Sequence, residues 1–148
     1  NTNHGFNNPP GSRWFNECLL SKFITFARCS RTKNIEYCNM SFDKLIEKIT
    51  PDTLVYADPP YRSTLGVYND GKRGFEGWTI NHEHNLCMFL DKINERGSRF
   101  MLSYVLKVND FYNKEIATWA ANNNYNVIDI EIPQGRYNNR KEVLITNY

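Results

Sequence analysis

A short apolar run that ends at a pair of prolines constrains the fold of this 148-residue chain more than any other segment. The run Leu54–Ala57 is bounded by turn-forming residues on both sides, and Asp58-Pro59-Pro60-Tyr61 follows it directly. Short apolar runs of this kind are typical of strands buried on both faces, as in a parallel sheet. The segment therefore predicts a buried strand with Asp58 at its carboxyl end.

Apolar spacing predicts further elements before this strand. Apolar residues at three- and four-residue steps predict a helix over residues 14–29, and residues 35–38 predict a short strand. Ser41 is placed to cap a second helix. The apolar face of that helix comprises Phe42, Leu45, Ile46 and Ile49.

Helices and strands alternate after the proline pair as well. We expect a helix over residues 81–96 that Gly97 ends, a strand over residues 99–103, and a helix that Asn109 caps and that holds Trp119. Residues 127–132 and 142–146 predict an antiparallel hairpin at a sheet edge. The order of elements predicts an α/β fold, with a mostly parallel sheet and helices on both of its faces.

Composition excludes several classes of protein. With 41% hydrophobic and 23% charged residues, a disordered chain is not expected, and the length fits one compact domain. No apolar run approaches the roughly 20 residues of a membrane span, so no membrane association is expected. The net charge of +2 is not that of a strongly basic nucleic-acid binder, although a local basic patch can still steer DNA.

The four cysteines indicate a reducing compartment. None forms the Cys-x-x-Cys pair of zinc or thioredoxin-like sites. Cys18, Cys29 and Cys87 lie in apolar helical patterns, so we expect buried free thiols and a cytoplasmic location. His82-Glu83-His84 is not expected to bind metal, because helical positions i and i+2 point apart by about 200°.

The residues after the predicted strand have a coherent chemistry. Ligands in open α/β sheets bind beyond the carboxyl ends of the strands, where Asp58 lies. A carboxylate and a proline-held backbone carbonyl can accept both hydrogens of an aromatic amine, which directs the nitrogen lone pair out of the ring plane. Tyr61 offers a face on which a planar base can stack, worth about 1–3 kcal/mol. The segment therefore favours a reaction at a base amine.

Two motifs resemble one known family. Phe6-Asn7-Asn8-Pro9-Pro10-Gly11 is similar to the F-N-x-P-x-G segment of the Dam-like DNA adenine-N6 methyltransferases. Tyr56-Ala57-Asp58-Pro59-Pro60-Tyr61 is similar to their catalytic motif, and it follows the first segment at about the distance found in that family. The resemblance covers essentially the whole chain and implies a methyl donor, S-adenosylmethionine, with no metal.

The resemblance also implies roles for individual residues. Asp58 would bind the adenine amine near the methionine end of the cofactor, the Pro59 carbonyl would accept the second amine hydrogen, and Pro60 would hold the turn. Tyr61 would stack on a base flipped out of duplex DNA. Phe42 would lie beside the adenine ring of the cofactor, after Ser41, where the family usually has Asp.

Contacts to double-stranded DNA are expected from residues in loops. Arg13 follows the first motif as a basic residue does in relatives. The other residues expected to contact DNA are Asn7, Lys72, Arg73, Arg136 and Arg140.

One family feature is absent from the sequence. The family begins with a glycine-containing F-x-G-x-G cofactor loop, and this chain contains no such motif. Residues 1–148 are therefore expected to be the C-terminal part of one methyltransferase catalytic domain with a partial Rossmann-like sheet. Residues 1–13 would end the target-recognition region, and the absent N-terminal half would be a partner. A second departure is Tyr104, where the family usually has Asn.

The leading hypothesis is a site-specific, adenine-specific DNA methyltransferase, present here as a fragment. Two alternatives remain open on the sequence. One is an RNA base-amine methyltransferase, because such enzymes carry variants of the Asp-Pro-Pro-Tyr motif. The other is a non-catalytic nucleic-acid-binding module with a vestigial pocket. The sequence does not distinguish restriction partner, phage self-protection and regulation.

Overall fold

A computed structural model describes residues 15–62, 77–130 and 140–148 of the chain. The chain divides into two compact units, Asn1–Asn39 and Met40–Tyr148. Across the described residues, no helix combines the length and the apolar character that crossing a bilayer requires.

The first unit contains the helix α1, Glu17–Thr32. The Asn16 side chain caps it by accepting a hydrogen bond from the Leu19 N–H at 2.9 Å. The helix predicted over residues 14–29 is confirmed, but it begins and ends three residues later than predicted. Because α1 buries none of its residues, the prediction of buried thiols is wrong for Cys18, which is exposed, and for Cys29, which is half-buried.

Residues 35–38 form no strand, contrary to the sequence prediction. A strand requires a neighbouring strand to accept and donate its backbone hydrogen bonds, and the described part of this unit offers none. Instead, the Tyr37 hydroxyl lies 2.9 Å from the Ser30 hydroxyl on α1.

The second unit begins with a 3₁₀ helix, Phe42–Lys48. Ser41 occupies its N-cap position as predicted, but the Ser41 side chain makes no capping hydrogen bond and donates to the Asp43 carboxylate instead. This contact lowers the pKa of Asp43. Ile49, which follows the helix, is buried in the core.

A five-stranded sheet forms the centre of this unit. Its strands are β1 (Leu54–Ala57), β2 (Arg99–Val108), β3 (Phe111–Tyr112), β4 (Asn126–Ile130) and β5 (Arg140–Thr146). The order is β1-β2-β5-β4, and β3 pairs with β2. β1 is parallel to β2, whereas the β2–β3, β2–β5 and β4–β5 pairs are antiparallel, so β1, β2 and β4 point the same way. The α/β class and the C-terminal hairpin are confirmed.

The strand β1 has the predicted bounds but not the predicted burial. Leu54 is 49% exposed and Tyr56 is 62% exposed. Within residues 15–62, 77–130 and 140–148, β1 pairs with β2 alone and its face that carries Leu54 and Tyr56 is exposed, so the prediction of a strand buried on both faces is wrong for the described residues.

Two helices pack against the sheet, α2 (Ile80–Glu95) and α3 (Lys114–Asn122). Alternate residues of β2, such as Phe100 and Leu102, join Leu90 and Ile93 of α2 in the core. On the other face of the sheet Tyr56 is exposed, so a helix layer on that face remains a prediction. The Cys87 thiol on α2 is buried, as predicted.

Two predicted helix boundaries can be compared with the structure: the end of α2 at Gly97 and the start of α3 at Asn109. The backbone after α2 turns at Gly97, with φ of 73°, as predicted. α3 is capped by Asn113, whose side chain accepts a hydrogen bond from the Ile116 N–H at 3.0 Å, and not by Asn109. Asn109 lies instead in the turn between β2 and β3, with φ of 52°, because the short strand β3 precedes the helix.

Candidate active site

Asp58 and Tyr61 form a hydrogen-bonded pair just beyond the carboxyl end of β1. The Tyr61 hydroxyl donates to Asp58 Oδ1 at 2.7 Å. Burial, reinforced by the bond to Asp58, raises the pKa of Tyr61 from 10.0 to about 12. Tyr61 is therefore a neutral donor at physiological pH. A carboxylate has about four lone-pair positions, so Asp58 can accept from Tyr61 and from a ligand amine together.

The ring of Tyr61 is held by neighbours from two other strands. The ring of Tyr104 on β2 meets it edge to face, with centroids 5.4 Å apart and planes at 79°. The Arg140 guanidinium of β5 lies over the Tyr61 ring, 5.9 Å from its centroid, and Arg140 Nε is 2.5 Å from Glu142 Oε1. The structure thus places Arg140 at Tyr61, although the sequence suggested a DNA contact.

A largely apolar cavity of about 440 Å³ opens beside Asp58. Phe42 lines it and packs on Phe89, with ring centroids 5.3 Å apart, and on Trp78 at 6.4 Å. Asp58 and Pro59 border the same cavity. The site therefore combines aromatic walls, suited to a flat ring, with one carboxylate suited to a cationic group or an amine.

Ser41 belongs to different surroundings. It lines a second cavity of about 440 Å³, which it shares with Phe42, His82 and Lys92, and not the cavity beside Asp58. A larger cavity of about 700 Å³ lies between α2 and α3 and includes none of the residues Asp58–Tyr61. Of the two predicted cofactor contacts that precede β1, the structure brings only Phe42 to the catalytic motif.

Glu83 forms a buried polar centre behind Tyr61. Its side chain is fully buried, and Oε1 accepts hydrogen bonds from the Tyr104 hydroxyl and from Asn113 Nδ2, the latter at 2.6 Å. Its Oε2 lies 3.1 Å from Nε of Arg62, the residue that follows Tyr61. Burial, followed by the bond to Glu83, raises the pKa of Tyr104 far above its usual 10.0, which keeps Tyr104 a donor.

The His82-Glu83-His84 segment does not form a metal site in the described structure. His82 Nδ1 accepts from the Thr79 N–H at 3.1 Å at the start of α2, and the His82 ring stacks on Trp78. Glu83, which lies between the two histidines in the sequence, is fully buried. Within residues 15–62, 77–130 and 140–148, no group of three His, Cys, Asp or Glu side chains is arranged to hold a metal ion.

Several predicted site residues lie outside the described residues, and the structure says nothing of them. They are Asn7, Arg13, Lys72, Arg73 and Arg136, and the whole first motif lies outside the described residues as well.

Sequence reasoning gave no role in the site to three residues that the structure places around the motif: Trp78, Arg62 and Glu83. Glu83 gave one usable signal. It is a charged residue three positions before Leu86, on what becomes the apolar face of α2.

Comparison with known proteins identifies the family. Residues 1–139 match the model of the D12 class N6 adenine-specific DNA methyltransferases. The chain belongs to this family. The match covers both motifs and all the described strands except β5, which begins one residue after the match ends.

Three curated relatives are similar to the whole chain or nearly so. The chain is 34% identical over 157 residues to modification methylase StsI of Streptococcus sanguinis, covering 100% of the chain and 24% of the relative. It is 35% identical to modification methylase LlaI of Lactococcus lactis subsp. lactis, covering 97% of the chain and 23% of the relative. It is 34% identical to the type II methyltransferase M.FokI of Planomicrobium okeanokoites, covering 100% of the chain and 24% of the relative. The chain thus spans about a quarter of the length of these relatives.

Proposed function

We propose that this chain carries the amine-binding part of a site-specific DNA methyltransferase that transfers a methyl group from S-adenosylmethionine to N6 of an adenine flipped out of the duplex. The observation that carries the proposal is the Asp58–Tyr61 pair at the end of β1, beside a cavity walled by Phe42 and Trp78. Membership of the D12 class supports the choice of adenine and of DNA. The similarity to two modification methylases, StsI and LlaI, supports a role in modification.

The chain's own residues would position the amine. Asp58 accepts one amine hydrogen and the Pro59 carbonyl accepts the second, which directs the nitrogen lone pair away from the ring plane. Tyr61, held by its bond to Asp58, offers its ring to the flipped base. Rate enhancement would come mainly from this positioning, which can supply about 7–11 kcal/mol of a barrier.

The residues present fit one part of the cofactor. When bound, S-adenosylmethionine supplies the electrophilic methyl group. The aromatic wall of Phe42, Trp78 and Phe89 suits its purine ring, and Asp58 suits its cationic amino-acid end. Ser41 is a weaker candidate, because its hydroxyl is engaged with Asp43.

We propose further that a segment with the family's glycine loop completes the cofactor site. This proposal is supported by the absence of F-x-G-x-G from the 148 residues and by the chain's match to about a quarter of each relative. Duplex DNA would be held in part by Asn7, Arg13, Lys72, Arg73 and Arg136. Arg140 would act at Tyr61.

A methyl-transfer assay tests the proposal. The chain is incubated with duplex DNA and tritiated S-adenosylmethionine, alone and together with a polypeptide that contains the glycine loop, and the modified base is identified after digestion. We expect N6-methyladenine in the second mixture, and its loss in Asp58→Asn. The matched control is Asp52→Asn, which alters an exposed aspartate in the turn at the other end of β1. Labelled cytosine, preferred labelling of RNA, or equal activity in Asp58→Asn would contradict the proposal.

A further inference from the structure

The buried carboxylate of Glu83 connects four parts of the second unit. Glu83 lies in the first turn of α2, and it accepts from Tyr104 on β2 and from Asn113 at the start of α3. It also pairs with Arg62 in the segment that follows β1. A carboxylate this deeply buried is costly to desolvate, so a link that only strengthened the core would be better made by apolar side chains.

Two of these links lead directly to Tyr61. Arg62 is its covalent neighbour. Arg62 Nη2 donates a hydrogen bond to Glu115 at 2.8 Å, and Arg62 Nε lies 3.1 Å from Glu83 Oε2, an ion-pair distance without hydrogen-bond geometry. A planar guanidinium that contacts carboxylates at two nitrogens is restricted in its orientation. The backbone that carries Tyr61 is therefore anchored at the next residue.

The second link fixes the surface on which Tyr61 rests. The hydroxyl of Tyr104 donates to Glu83, which sets the position of the Tyr104 ring. That ring meets the Tyr61 ring edge to face at 5.4 Å. The Tyr61 hydroxyl is in turn held by Asp58. One buried carboxylate thus controls both the backbone after Tyr61 and the ring beneath it.

We infer that Glu83 is a positioning residue for the reaction: it holds Tyr61 and, through Tyr61, the Asp58 carboxylate in the geometry that receives the base amine. It acts through Arg62 and Tyr104 and does not border the cavity beside Asp58. The role of Glu83 in methyl transfer rests on the proposed function, whereas its positioning of Tyr61 does not.

The structure offers a matched control on the same helix. Asp91 lies two turns after Glu83 on α2, and its carboxylate accepts from Trp119 Nε1 at 3.0 Å and from the Tyr125 hydroxyl at 2.9 Å. These contacts join α2 to α3 and to the start of β4, away from Tyr61. Loss of the Asp91 contacts should therefore weaken the fold without altering Tyr61.

Fluorine NMR of Tyr61 tests the inference without catalysis. The full chain is prepared with 3-fluorotyrosine in place of its nine tyrosines, and Tyr61→Phe identifies the Tyr61 signal. In Glu83→Gln, the Tyr61 signal is expected to move towards the position of free 3-fluorotyrosine and to narrow, while Asp91→Asn leaves it in place. If Glu83→Gln does not fold, Arg62→Gln breaks the same ion pair from its more exposed side, and Arg62→Lys, which keeps the cation but loses the planar guanidinium, should restore the Tyr61 signal only in part.

An unmoved Tyr61 signal in folded Glu83→Gln, or in Arg62→Gln where that variant replaces it, overturns the inference. Where methyl transfer is measurable, Glu83→Gln should lower kcat by about 10- to 100-fold, because a displacement of about 1 Å in a reacting group costs that much. KM for S-adenosylmethionine should change less than kcat, because the aromatic residues at the cofactor's purine do not depend on Glu83. Absence of methyl transfer by the wild-type chain in the presence of the glycine-loop polypeptide would contradict the proposed function but would leave the fluorine result standing.

Discussion

Replacing Glu83 by alanine should destabilise the fold strongly. The change leaves the Tyr104 hydroxyl and the Asn113 amide, both buried, without the acceptor they share. It also removes the ion pair to Arg62. Because the three partners come from three different elements, the loss weakens the packing of α2, α3 and β2 against one another.

The expected magnitude follows from the partners. Each orphaned buried donor costs about 1–3 kcal/mol. The Arg62 contribution is below about 1 kcal/mol, because Arg62 is 20% exposed and keeps Glu115. Release of the carboxylate from its dry surroundings offsets part of the loss. A net decrease of about 3–5 kcal/mol in the free energy of unfolding is expected, as for other broken buried pairs.

Urea denaturation of the chain, followed by circular dichroism and tryptophan fluorescence, measures this decrease. The control is Glu115→Ala, which removes a 40% exposed carboxylate from the same Arg62 and should cost less than about 1 kcal/mol. Adding Tyr104→Phe to Glu83→Ala removes one orphaned donor, so the two changes should be non-additive by about 1–2 kcal/mol. A decrease below about 1 kcal/mol for Glu83→Ala, or full additivity, would refute the role given to the Glu83 carboxylate.

Three further outcomes are expected. Burial raises the pKa of Cys87 from 9.0 to about 12. Since the native thiol keeps a proton that the unfolded chain releases, stability should be full below pH 9 and fall towards pH 12, and urea midpoints across that range should decline less steeply in Cys87→Ala. Gly97→Ala should lower the free energy of unfolding, measured by urea denaturation, by about 1–2 kcal/mol, because alanine is strained at a φ of +73°. An added Cβ meets no atom within 4 Å, so the cost comes from the backbone alone, and an unchanged urea midpoint would contradict this strain. Phe42→Ala should cost about 2–3 kcal/mol, less than a fully buried phenylalanine, and should red-shift the emission of Trp78, which it covers. Unaltered tryptophan emission would show that Phe42 does not shield Trp78.

Much of the fold was predictable because it depends on local pattern. The bounds of β1 follow from an apolar run and the prolines after it, and Gly97 ends α2 because a glycine accommodates positive φ. The C-terminal hairpin follows from two alternating or apolar segments. Asn109 was a reasonable cap by residue type, but the two-residue strand β3 displaced the helix start to Asn113.

Part of the candidate site was likewise predictable from the sequence, and part was not. Asp58, Tyr61 and Phe42 were identified from the sequence, since a motif at a strand end and an aromatic before it are local signals. Glu83 and Arg62 were not, because they lie 21 residues apart and their pairing depends on how α2 packs against β2. The position of Arg140 over Tyr61 likewise depends on the placement of β5 beside β2.

The sequence by itself determined the α/β class, the strand that ends at Asp58 and the chemistry of its carboxylate, because each follows from residue types over a few positions. Only the tertiary structure decided that β1 lies at the edge of the sheet formed by the described strands and that Phe42 and Trp78 wall the cavity beside Asp58. It also decided that Glu83 holds the surroundings of Tyr61. The physical reason is that burial and ion pairing are set by distant segments meeting in space, which no local pattern encodes.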